Sequence, residues 1–142
     1  MSTALPQPSP ADQNMDAPVL RMNVRVGTCE ADTQVAISAP PWHGDENAKL
    51  SDTHEDNLWA WSVVCALNQA EKDGILHLAL NLDFKDFPKQ RAAQIAFGHV
   101  HGHFLHAAFP ERVTFVFATQ ADADLFQRVA QARREWMGSP RR

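Results

Sequence analysis

The sequence predicts an α/β fold in three layers, a mostly parallel sheet flanked by helices. Three observations predict it. Stretches with helical and strand character alternate from residue 52 onward. The run I-L-H-L-A-L at 75–80 has few polar positions, as strands buried on both faces do. The intervening helical stretches are long enough for crossovers, which join parallel neighbours and pack helices on the sheet.

Residues 1–18 carry Pro6, Pro8, Pro10 and Pro18 among Ser, Gln, Asn and Asp. They hold too little apolar surface to offset the entropy of ordering, and read as a disordered arm. A single domain spans 19–138. In V-L-R-M-N-V-R-V at 19–26, Leu20, Met22, Val24 and Val26 alternate with Arg21, Asn23 and Arg25, the pattern of a half-exposed or edge strand. A turn-like stretch at 27–34 leads to a short strand at 35–39, stopped by Pro40 and Pro41, which cannot continue a ladder. After a loop, Asp52 followed by Glu55 is a capping signal for a helix that runs to Lys72 and ends at Asp73 and Gly74. Leu58, Trp61, Val64, Cys65 and Asn68 share one face of it, with Leu67 beside them. Trp59 and Trp61 cannot both face one direction; one belongs to the core and the other marks a contact surface. Beyond the strand at 75–80, Pro88 sits where a first-turn proline would. It opens a helix over 89–108 with Ala92, Ala93, Ile95, Ala96, Val100 and Phe104 in a broad apolar stripe. A strand at 113–118 precedes a helix at 122–137, where Leu125, Val129, Ala132 and Trp136 are spaced toward a core. Residues 139–142 form a basic tail. About five strands are expected.

At 142 residues the chain supports one domain with a real core, and 44% hydrophobic with 21% charged residues is ordinary for a soluble globular protein. A formal net charge of −4 gives no general attraction to nucleic acid. The apolar runs fall short of the roughly 20 residues of a membrane helix, and the N-terminus lacks signal-peptide character. A cytoplasmic protein without membrane contact is expected. Cys29 and Cys65 show no metal-ligand spacing and read as reduced, packed thiols.

From residue 35 onward, three stretches resemble the second half of macrodomains, modules that bind ADP-ribose and in some members hydrolyse its esters. V-A-I-S-A-P-P-W at 35–42 is similar to the family's I-H-T-V-G-P-x-W strand end. H-L-A-L-N-L-D-F-K-D-F-P at 77–88 is similar to F-A-x-P-A-I-S-T-G-x-x-G-x-P. A-A-Q-I-A with Phe104 and Leu105, then V-T-F-V-F-A before D-A-D-L-F, is similar to the closing units. The match covers residues 35–129, about two-thirds of the chain. The family's G-D-I-T and N-A-A-N motifs are absent, and only 34 residues precede the matched block. The resemblance therefore implies a truncated macrodomain-like fold.

The same resemblance makes Ala39, Trp42, Asn81, Asp83, Phe84 and Asp86 the ligand-loop candidates. The family glycine of G-P-x-W is Ala39 here, and the two glycines of the phosphate loop are Asp83 and Asp86. Glycines there let backbone N–H groups approach a diphosphate at a helix N-terminus. A carboxylate blocks that approach and repels the anion by about 4 kcal/mol at about 4 Å and an effective dielectric near 20. Asp86, close before Pro88, is expected at the helix N-terminus in place of the phosphate. Trp42 either stacks on a ligand ring or packs under the loop, and Phe84 is either a core plug or a contact.

His99, His103 and His106 lie at i, i+4 and i+7 on one helix and are the residues that would hold a metal. H-x-x-x-H without a following Glu lacks the hydrolase signature, so no metal and no cofactor are assigned. No catalytic residue is assigned, since Ser38 and Cys29 are isolated from any base. The expected function is a noncatalytic interaction or regulatory module that has lost ADP-ribose binding and meets a second copy or a protein partner through the exposed edge at 19–26. The alternative is an ADP-ribose or nucleotide-derivative binder or hydrolase with a rearranged loop.

Overall fold

The computed structural model describes residues 20–138, without the side chains of 134–138. The expected arm at 1–18, the basic tail at 139–142 and the Trp136 side chain lie outside the described residues. Strands β1 (Met22–Val26), β2 (Thr33–Ser38), β3 (His77–Asp83) and β4 (Arg112–Phe117) form one sheet in the order β1-β4-β3-β2, with every pair parallel. Helices α1 (His54–Lys72), α2 (Lys89–Phe104) and α3 (Gln120–Gly138) follow β2, β3 and β4 in turn. The protein is thus α/β with a parallel sheet and flanking helices. β1 is an edge strand as expected, and the described residues hold four strands rather than five.

One core joins sheet and helices. Leu78, Leu80, Leu82, Val113, Phe115 and Phe117 point to the helical side, where they meet Trp59, Val63, Ala92, Ala96, Phe97 and Phe126. The Phe126 ring lies 4.4 Å from Phe115 and 5.3 Å from Phe117, centroid to centroid. α2 packs between α1 and α3, so the three helices form one layer. Strand alternation sends His77, Ala79, Asn81, Thr114 and Val116 to the other face. That face is crossed by the β1–β2 connection, whose Cys29 and Ala31 pack on Ala79 and Val116.

The side of this crossing follows from topology. From β2 to β4 the chain steps across the sheet in one direction through helical crossovers, whereas β1 to β2 spans the whole sheet in the reverse direction. Keeping the same hand then requires the opposite face. The span is tight. Met22, Val113, Leu78 and Thr33 are level with one another, so Val26 and Thr33 are about 13 Å apart along the strands and about 14 Å across them. Seven residue steps reach only about 23–25 Å when extended, against a diagonal of about 19 Å. Gly27, at φ +89°, makes the turn that leaves β1.

Several boundaries and faces differ from expectation. The α1 cap is Thr53, not Asp52: Thr53 Oγ1 accepts from the Asp56 N–H at 2.9 Å, and Asp56 closes the capping box. The inward face of α1 is Asp56, Trp59, Ala60, Val63, Ala66, Leu67 and Ala70. The stripe through Leu58, Trp61 and Cys65 is outward, with Trp61 65% exposed. Apolar residues lie on both sides of α1, so spacing alone does not rank them. What fixes the rotation is the Trp59 indole, which donates to Ala92 O at 2.9 Å. Trp59 and Trp61 do divide between core and surface. α3 is turned by about one residue, with Phe126 rather than Leu125 at the centre and Ala132 exposed. The α2 stripe is buried at every expected position. β3 extends to Asp83 because β2 pairs with it through Ser38.

Two arginines fasten the connections. Arg91 forms a bidentate pair with Asp56 and donates to Ala48 O and Lys49 O at 2.8 and 2.7 Å, holding the β2–α1 loop on α2. Arg21 stacks 3.9 Å over Phe104 and donates to the carbonyls of Phe104, Ala107, Ala108, Pro110 and Glu111, tying the start of β1 to the loop before β4. No helix among the described residues is long and apolar enough to cross a membrane.

Candidate functional site

The sequence-derived loop residues gather at the C-terminal ends of β2 and β3. Ala39 is buried, and its N–H donates to Asp83 O at 2.8 Å. Trp42 lies 4.9 Å from Phe87 and 5.3 Å from the Arg91 guanidinium, in the packing role. A Cβ at Gly44 would stand 2.8 Å from the Trp42 ring, so this close approach needs glycine. Phe84 and Phe87 are both buried; Phe84 packs on Trp59 and Phe117, and is a core plug.

The two loop carboxylates behave differently. Asp83 Oδ1 accepts from the Lys85 N–H at 3.1 Å, and its other oxygen lies 3.2 Å from Lys85 Nζ. The Lys85 backbone bond, then its side-chain bond and charge, hold the exposed Asp83 carboxyl below the usual range despite some burial. Lys85 adopts φ +52°, the left-handed conformation that makes this Asx-type turn possible. Asp86 does not cap α2. The N-cap is Pro88, with no side-chain cap bond. The carboxylate that secures the loop is therefore Asp83: it is close enough to curl onto an amide two residues on, whereas Asp86 is exposed. Asn81 also departs from its expected place. It is a β3 residue on the sheet face opposite the three described helices, where its Nδ2 donates to Gln34 Oε1 at 3.4 Å, pointing away from the loop.

The histidines of α2 take separate roles. His103 is buried and donates from Nε2 to Phe109 O at 2.9 Å. His106 stands 6.0 Å from it, ring to ring, and His101 packs against Phe97. Burial lowers the pKa of His99, and burial plus the charge of Arg133 lowers that of His101. Among the described residues no three His, Cys, Asp or Glu side chains converge to hold a metal ion.

A second constellation, brought together only by the fold, occupies the sheet face opposite the three described helices. Asn23, Arg25, Thr28, Cys29, Glu30, His77, Arg112 and Thr114 line a cleft of about 670 Å³ between the crossing segment and β1, β4 and β3. His77 Nε2 is 2.7 Å from Thr114 Oγ1 and 4.0 Å from Cys29 Sγ. The His77 N–H donates to Asp32 Oδ2 at 3.0 Å. Burial first, then the charge of Arg112, lower the His77 pKa against the opposing pull of Asp32, so the ring is neutral near pH 7. The Cys29 thiol donates to Glu30 O at 3.4 Å. Both cysteines are free thiols, Cys29 buried and Cys65 exposed. Cys29 is thus not isolated from a base. Its partner is 48 residues away in sequence, and the one available signal was the break in alternation at His77, a polar side chain opening an apolar strand.

No family model matches the chain, and no curated protein sequence matches it.

Proposed function

We propose that this chain is a noncatalytic interaction or regulatory module on a degenerate macrodomain-like fold that does not bind ADP-ribose. The observation that carries the reading is the loop after β3. Where the resembling family presents bare amides to a diphosphate, the Asp83 carboxylate takes the Lys85 N–H, and Phe84 and Phe87 fill the space beneath. A ligand phosphate would have to displace a bound carboxylate and face its charge.

The partner is a second copy or another protein. Supporting this are the outer edge of β1, which no strand among the described residues pairs, and the outward Leu58 and Trp61 of α1, 42% and 65% exposed. Calorimetry with ADP-ribose and sedimentation over a range of protein concentrations test the two halves together. Absence of binding with concentration-dependent association is the expected result. Micromolar binding of ADP-ribose overturns the reading and favours a nucleotide-derivative binder or hydrolase with a rearranged loop.

A further inference from the structure

We propose that the cleft on the sheet face opposite the three described helices binds a small molecule carrying a carboxylate or phosphate group, held by Arg25 and Arg112 with Cys29 at its wall. The cleft volume, about 670 Å³, falls within the range of small-molecule sites. Its floor is built by register. Asn23 pairs with Thr114 and Arg25 with Val116, while Arg112 precedes Thr114 by two residues on the same face. The two arginines therefore bracket a pair of neutral polar side chains. Their levels on the sheet differ by four residues, about 13 Å, a span that two arginine side chains reach across.

The charge balance favours an anion. Neither Arg25 nor Arg112 has a carboxylate within ion-pair distance among the described residues. Among the described residues Glu30 is the one carboxylate on the cleft wall; Asp32 and Glu111 line the adjoining hollow, which shares Glu30, His77 and Arg112. Asp32 is already engaged by the His77 N–H. Asn23, Thr28 and Thr114 add neutral donors, and guanidinium groups match planar oxyanions in paired hydrogen bonds. The field of Arg112 reaches into the cleft, since it contributes to keeping His77 uncharged. This site lies on the opposite face of the sheet from the helix layer and shares no residue with the loop after β3, so it stands whether or not that loop binds a nucleotide.

The test uses the full-length, isotope-labelled chain titrated with sodium phosphate and, separately, with sodium succinate, each against sodium chloride at matched ionic strength. Saturable amide shifts centred on Arg25, Cys29, Arg112 and Thr114 are expected with at least one probe, and which probe saturates first distinguishes phosphate from carboxylate ligands. The Arg25→Gln/Arg112→Gln variant, which alters two exposed side chains, should keep the wild-type spectrum elsewhere and lose these shifts. In a Cys65→Ser chain, alkylation of Cys29 by iodoacetamide should slow in proportion to probe occupancy. In that reaction the thiolate sulfur bonds to the methylene carbon as iodide leaves, and the thiol proton passes to solvent. Shifts no larger than those from chloride with both probes overturn the proposal, as does their persistence in the double variant.

Discussion

Replacing Asp56 with Ala should be among the most damaging single changes to this fold. The carboxylate is 0% exposed and takes two hydrogen bonds from the Arg91 guanidinium, together with the Ser51 and Thr53 N–H groups at 3.1 and 3.4 Å. Without it, Arg91, 7% exposed, keeps its charge but loses its ion-pair partner, retaining hydrogen bonds to the carbonyls of Ala48 and Lys49, the Trp42 ring and the more distant charges of Asp52 and Asp45. Removing one partner of a buried pair costs about 3–5 kcal/mol, a large part of the usual 5–15 kcal/mol of a domain. For a domain of this size the midpoint should fall on the order of 10–20 °C. Thermal unfolding measures the midpoint and urea unfolding the free energy, both followed by tryptophan fluorescence, to which the buried Trp59 contributes. The pH dependence has a definite sign. Burial alone would raise the Asp56 pKa, but the hydrogen bonds and charge of Arg91, with those of Thr53, outweigh it and hold the carboxyl below its ordinary range. The contribution is therefore complete above the unfolded value of about 3.9 and is lost as pH falls through the lower folded value. The gap between wild type and variant should be full at about pH 5–7 and close in acid. Combining Asp56→Ala with Arg91→Met should restore part of the stability, because the second change removes the stranded cation. A loss below about 1 kcal/mol at neutral pH, or a gap that survives acidification, would refute the reasoning.

Lys85→Gly should stabilise the protein by about 0.5–1 kcal/mol in urea unfolding, since relief of the left-handed conformation exceeds the extra entropy glycine loses on folding; a net loss would show that the Asp83–Lys85 bridge outweighs the strain. Placing glycine at both positions, Asp83→Gly/Asp86→Gly, should not produce ADP-ribose binding in calorimetry, because Phe84 and Phe87 still fill the loop; micromolar binding would show that charge alone excluded the ligand. His77, His99 and His101 all have lowered pKa values, with burial the largest cause. Stability should hold above the unfolded value of about 6.5 and decline as pH falls through the lower folded values, and a flat melting temperature between about pH 7 and 5 would contradict this. Trp61→Ser should leave stability within about 0.5 kcal/mol and weaken self-association in sedimentation; unchanged association would exclude the outward face of α1.

The parallel α/β architecture was legible because helix-length segments separate the strands, and the α2 stripe because alanines and Val100 are buried at a clean helical period. The α1 face was hidden by its chemistry. Its inward stripe begins with Asp56, a charged residue buried only because Arg91, 35 residues on, answers it. Loop readings divided for the same reason. Trp42 packs locally, on Phe87 and beside Gly44, a choice its position after a strand left open between packing and stacking on a ligand. Asn81 depended on where β3 ends, which the pairing of Ser38 with Asp83 sets. Of the cleft only the polar His77 at the head of an apolar strand left a trace: Arg25, Cys29, His77 and Arg112 come from three strands and a crossing segment, and meet only through sheet order.

The nearly extended passage from Val26 to Thr33 also makes the chain asymmetric toward length change. Adding residues there costs only a slowly growing closure entropy, roughly logarithmic in loop length. Removing one takes away about 3.3 Å of reach from a span with about 5 Å to spare, some of it already spent in clearing the side chains of the sheet. Removing a second would leave less reach than the diagonal and would drag β1 along β4, and a one-residue slip exchanges its inward and outward faces by the two-residue alternation of strands. The same segment that supplies Thr28, Cys29 and Glu30 to the cleft wall thus acts as a ruler, setting the least distance at which the first strand can reach its place beside the last.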